Sequence, residues 1–156
     1  MYLFYLIITL LMTGADYFTK ILAVNGLKEQ GNSVPVIEGV FHFTYHQNTG
    51  GAFSIFEGHP YLLAGVSVAL ICVAVWYVIR KKPQSHLLLL SLSMIVAGGT
   101  GNIIDRITKG YVVDFLDFCL IKFPVFNVAD IFVCIGMTLF AVYVLFIHDD
   151  KTENEK

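Results

Sequence analysis

The residues best equipped for chemistry in this chain are acids and amides placed where a protein usually avoids them. Asp16, Asn102, Asp105 and Asp130 lie inside long apolar runs, Asp114 lies in the segment joining the last two runs, and Asn48 and Gly50 precede the second run. Ionisable groups at membrane depth are costly, so acids kept there point to a site. Two carboxyl groups brought together share a proton and supply an acid and a base in one place.

Those residues need elements to carry them, and composition sets the class. The 156 residues are 56% hydrophobic and 14% charged, with a net charge of -2. That is too apolar for an ordinary soluble domain, too short for several domains, and without the basic field that would recruit nucleic acid. One integral membrane domain over 1–156 is expected. A helix needs about 20 residues to cross the hydrocarbon. Four runs qualify, at approximately 2–24, 61–79, 87–105 and 127–147.

A cleaved leader is disfavoured for the first run, because no Lys or Arg precedes it and apolar residues resume after Lys20. Cys72, Cys119 and Cys134 follow Ile71, Phe118 and Val133, so none sits in a lipidation box, and their scatter suggests no disulfide framework. The chain is not expected to be a lipoprotein itself.

Arg80, Lys81 and Lys82 fill the short connection between the second and third runs, which favours a cytoplasmic loop and cytoplasmic termini. The full tally is even, with Lys151 and Lys156 added to that triplet against Lys20, Lys28, Arg106, Lys109 and Lys122, so the triplet beside two helix ends decides. Residues 25–60 and 105–126 then face outward. By helical rise, Asp16 lies about 22 Å, Asn102 and Asp105 about 24 to 28 Å, and Asp130 about 26 Å from the cytoplasmic boundary. All approach one outer layer, which Asp114 can also reach.

The outward segments have their own pattern. Phe41, Phe43 and Tyr45 alternate with His42, Thr44 and His46, the period of a half-buried strand, bounded by Pro35, Gly39 and the Asn48-Thr49-Gly50-Gly51 turn. A small sheet resting on the membrane surface is expected there. Tyr111 to Ile121 is apolar around Asp114 and Asp117, and its pattern leaves strand and helix open.

Five pieces in order carry a resemblance: Asp16-Tyr-Phe-Thr19-Lys20; Asn48-Thr-Gly50-Gly-Ala52-Phe53; Gly98-Gly99-Thr-Gly101-Asn102-Ile-Ile-Asp105-Arg106; Gly110-Tyr-Val112-Val113-Asp114-Phe115; and Phe123-Pro124-Val-Phe126-Asn127-Val-Ala129-Asp130. Over nearly its whole length the chain resembles lipoprotein signal peptidase, the signal peptidase II family. Gly51 departs from the small apolar residue common there, which touches only the local turn.

The resemblance implies an all-α membrane protein of four transmembrane helices with a small extracytoplasmic β element, in a bacterial cell membrane. It implies an intramembrane aspartic endopeptidase that takes diacylglyceryl prolipoproteins from the lipid phase and cuts before the lipidated cysteine, with no cofactor and no metal. Asp114 and Asp130 match its catalytic dyad. Asn102 and Arg106, four apart on one helix face, match positions that contact the bound peptide. Asn48 and Gly50 are expected to shape an outward loop over the site, with Asn48 placed to touch substrate.

For the rest, alternatives stay open. Asp16 and Lys20 have the spacing of a helical ion pair, which accounts for them at least as well as a catalytic role. Asp105 is expected to fix a helix end, Asn127 to orient the dyad, accept substrate groups or satisfy buried backbone, and Asp117 to be structural or interfacial. The glycine-rich stretch 97–101 permits close approach of a helix or of a peptide. His42 and His46 have no Cys or Glu to complete a metal set. A proton-coupled transporter or an assembly protein would also place acids in helices, but a transporter spreads them through the bilayer and often repeats internally, and neither pattern is present. A monomer could contain the whole site.

Overall fold

In the computed structural model, residues 1–28, 33–51, 55–121 and 123–147 are described. Ala52 and Phe53 of the second motif, and Lys122, Lys151 and Lys156 of the charge tally, lie outside them. Among the described residues four helices are long and apolar enough to cross a membrane: α1 (Tyr2–Leu27), α2 (Pro60–Lys81), α3 (His86–Lys109) and α4 (Val128–Phe146). In hydrocarbon every backbone and hydroxyl group must find a protein partner. Thr9, Thr13, Thr100, Thr108 and Thr138 accordingly donate to carbonyls four residues back in their own helices.

α3 is the central helix and packs against α1, α2 and α4. Its approach to α4 depends on missing side chains. A Cβ on Gly98 would overlap the Ala129 carbonyl oxygen, and one on Gly136 would meet Ser91 O at 2.9 Å. Gly99 instead faces α2, where Ile71 Cδ1 lies 3.1 Å from its Cβ position. The glycine stretch therefore seats two helices at once. α2 buries only Ala64.

Three antiparallel strands, β1 (Ser33–Ile37), β2 (Phe41–Asn48) and β3 (Val112–Phe118), form a sheet in the order β1-β2-β3. The alternating Phe41 to His46 segment is a strand, and the undecided segment around Asp114 is one as well. Pro35 lies within β1, paired with His42, where the sequence marked a boundary. β1 is an edge strand, and an edge tolerates a residue that cannot donate.

The sheet is held to the helices by a core of Ala23 and Leu27 from α1 with Val113 and Phe115 from β3. Phe43, Phe118, Leu120, Ile121 and Phe123 remain exposed around it as an apolar rim. Phe126 pairs with Leu116 through backbone bonds of 2.8 and 3.0 Å, which docks the lead-in to α4 against β3.

A buried carboxylate and amide site

That docking brings Asp114 and Asp130 into one network. Asn127 is the N-cap of α4 and accepts at Oδ1 from Asp130 N at 3.0 Å, while Asp130 Oδ2 accepts from Asn127 N at 3.1 Å. This reciprocal capping box satisfies two backbone donors that a helix start otherwise leaves open. It also fixes Asp130 in the first turn. With its oxygen so engaged, Asn127 turns Nδ2 to Asp114 Oδ1 at 2.6 Å. The other Asp114 oxygen accepts from Asn48 Nδ2 at 2.9 Å, and Asn48 Oδ1 is held by Gly50 N at 2.9 Å.

Asp130 Oδ1 accepts from Asn102 Nδ2 at 2.8 Å, and Asn127 Nδ2 also reaches Asn102 Oδ1 at 3.2 Å. The two carboxylates are thus joined through a pair of amides. Asp114 is 1% exposed. Burial above all, and then the charge of Asp130, push its carboxyl up to about 7, against the opposing pull of Asn48, Asn127 and Lys20.

Beneath this pair lies a charged chain. Lys20 Nζ stands 2.9 Å from Asp16 Oδ2 and 3.2 Å from Asp105 Oδ2, and Lys109 Nζ stands 2.7 Å from Asp105 Oδ1. Alternating signs compensate charges that would be prohibitive singly. Both acids also hold backbone in place, since Asp16 Oδ1 accepts from Ala129 N at 2.9 Å and Asp105 Oδ2 accepts from Val113 N at 3.1 Å. Asp105 therefore ties the end of α3 to β3, across the left-handed turn at Gly110 (φ 78°). A Cβ on Gly101 would overlap Asp16 Oδ2, so that glycine makes room for the carboxylate.

Arg106 is turned to the β2–α2 connection, donating from Nη2 to Gly50 O at 2.9 Å, while its buried Nε has no partner among the described residues. Asp117 stands apart from the pair and accepts from Thr44 Oγ1 at 2.8 Å. The sequence grouped these acids by depth. It did not reveal Lys20 against Asn102 at 2.9 Å or Gly101 against Asp16, contacts between residues more than eighty apart with no local periodicity to announce them.

Four membrane-length helices around a buried network of acids and amides define a polytopic membrane protein with a polar site at the junction of helices and sheet. The family description Signal peptidase (SPase) II matches residues 8–146. Similar chains include the lipoprotein signal peptidase of Brevibacillus brevis, 41% identical over 86% of this chain and 90% of its own length. That of Microcystis aeruginosa is 45% identical over 78% and 79%. A solved bacterial membrane enzyme structure superposes with a TM-score of 0.84 at 28% identity, covering 97% of this chain and 91% of that one.

The chain belongs to the signal peptidase II family. It is therefore a multi-pass bacterial membrane protein and a peptidase of lipoprotein processing.

Proposed function

We propose that this peptidase is an aspartic endopeptidase that removes signal peptides from diacylglyceryl-modified prolipoproteins, cutting immediately before the lipidated cysteine, with Asp114 and Asp130 as its dyad. The observation that carries the reading is the common amide network of these two carboxyl groups, in which burial and the Asp130 charge raise the Asp114 carboxyl to about 7. Near neutral pH such a pair holds one proton between two acids.

The ionised member takes a proton from water, and the resulting oxygen nucleophile attacks the scissile carbonyl. The protonated member hydrogen-bonds the carbonyl oxygen as charge develops there. Collapse of the tetrahedral intermediate breaks the C–N bond, and a proton passes to the departing amine. Acid and base action supplies roughly 10²- to 10⁴-fold, and positioning must supply the rest. Asn48, Asn127 and Asn102 hold the carboxylates for this step. Arg106 Nε, which has no partner among the described residues and belongs to the side chain that anchors Gly50, suits a main-chain carbonyl of the bound peptide.

In this reading both termini are cytoplasmic, the 1–156 chain is one domain competent as a monomer, and the apolar rim of the sheet sits in the outer interface beside the substrate's lipid. The test is cleavage of a fluorogenic diacylglyceryl-lipobox peptide by the purified protein in detergent. Cleavage before the lipidated cysteine, insensitive to chelator and abolished in folded Asp114→Asn and Asp130→Asn variants, is the expected result. Cleavage surviving in either variant would overturn the dyad.

A further inference from the structure

We propose that Lys20 is a positioning residue for the carboxylate pair, its ammonium holding the Asn102 amide so that the NH2 group faces Asp130. The inference rests on the dyad reading above. The oxygen and nitrogen ends of an amide are nearly equal in size, so shape does not decide which end faces a carboxylate; the partners do. Each of the three amides at the site has its oxygen occupied by a donor. Gly50 N holds Asn48 Oδ1, Asp130 N holds Asn127 Oδ1, and Lys20 Nζ holds Asn102 Oδ1 at 2.9 Å.

The first two donors are backbone amides fixed by a turn and by a helix start. Asn102 lies within α3, and its oxygen takes its nearest donor from the side chain of another helix. Its second donor, Asn127 Nδ2 at 3.2 Å, is shared with Asp114, which it approaches more closely at 2.6 Å.

Charge compensation alone does not account for this placement. An ammonium has three N–H donors. Lys20 Nζ donates a hydrogen bond to Asn102 Oδ1 and makes ion pairs with Asp16 and Asp105, and Asp105 already has Lys109 at 2.7 Å and Val113 N at 3.1 Å. Without the ammonium, the Asn102 oxygen keeps only the longer bond from Asn127 Nδ2, which is shared with Asp114, so the amide is held less firmly against Asp130. Lys20 thus acts on the reacting groups through Asn102 without touching substrate.

A double-mutant cycle in the full-length protein tests this, with kcat, KM and thermal unfolding measured on the diacylglyceryl-lipobox peptide for the wild type, Lys20→Met, Asn102→Ala and the combination. Lys20→Met is expected to lower kcat about 10- to 100-fold, the scale of a small misplacement of catalytic groups, with KM changing less than about threefold. The combined variant is expected to be no slower than Asn102→Ala alone, since coupled residues are not additive. Multiplicative losses in the combined variant would overturn the proposal.

Because Lys20→Met leaves Asp16 buried beside no cation, Asp16→Asn/Lys20→Met serves as the second variant, retaining an oxygen for Ala129 N. A kcat within about twofold of Asp16→Asn alone would equally overturn it. Asp114→Asn and Asp130→Asn run alongside separate the two claims. Cleavage in either sinks the dyad reading, whereas two inactive variants with an additive cycle sink only the role of Lys20.

Discussion

α2 and α3 are neighbours of similar length and opposite character. α3 buries eleven residues, among them Ser91, Ser93, Asp105 and Arg106, whereas α2 buries Ala64 and exposes Val66, Leu70, Val73, Trp76 and Ile79. Both satisfy the bilayer, but for α2 that is nearly the whole requirement. α3 must also accept a carboxylate from α1, an amide contact to α4, a glycine seam and the end of a strand. Apolarity makes a helix span a membrane, while polar and small residues decide which helices it meets.

The largest expected effect lies on the polar side of this contrast. Asp114→Asn and Asp130→Asn should each lower kcat/KM on the lipobox peptide at least about 10²- to 10⁴-fold while the protein still elutes as a folded species. A comparable loss from any outward α2 substitution would break the division.

Next come the glycines. Gly98→Ala places a methyl against the Ala129 carbonyl and Val133, and should lower stability by about 1–3 kcal/mol in thermal or denaturant unfolding. Gly65→Ala in α2 meets nothing within 4 Å and should raise it by roughly 0.5–1 kcal/mol. Opposite signs for one chemical change would sharpen the contrast; equal signs would remove it.

The Asp114 carboxyl gives an effect readable by pH. Its value in the folded protein is about 7 and the ordinary one is 3.8. Between these the folded chain holds a proton that the unfolded chain has lost, so this group's contribution makes stability fall as pH rises from about 4 to about 7. Asp114→Asn should flatten that slope in unfolding midpoints, and wild-type turnover should decline above about pH 7 as the shared proton leaves. Smallest of all, Leu70→Ala, at a side chain 64% exposed, should change stability by less than about 0.5 kcal/mol.

Much of this was legible in the sequence, for reasons that differ by feature. The helices follow from apolar length alone, and α1 runs on to Leu27 because Ala23 and Leu27 pack on β3, while α3 runs on to Lys109 where Asp105 ties its end to β3. Asp16 and Lys20 were readable as a pair because four residues make one helical turn. What Lys20 does with its remaining donors was not, since Asn102 is brought to it only by packing of α1 on α3. Arg106 shares a helix face with Asn102, as spacing requires, yet its closest bond goes to Gly50 in a loop that no periodicity connects to α3. β1 was hidden by Pro35, a residue that signals an end except at an open edge.

The capping box at Asn127 and Asp130 has a further consequence, for how the chain tolerates insertions. Because one carboxylate belongs both to the site and to the first turn of α4, its place is set by the cap, whereas the rest of that helix is set by its glycine seam on α3. One residue inserted after Ile131 would rotate everything beyond by about 100°, carrying Gly136 out of its seat on Ser91 and Ile95 while Asp130 keeps its place. An insertion between Asn127 and Asp130 would instead separate the acid from its cap. A change in the length of α4 thus breaks either the seam or the cap, according to the side of that junction on which it falls.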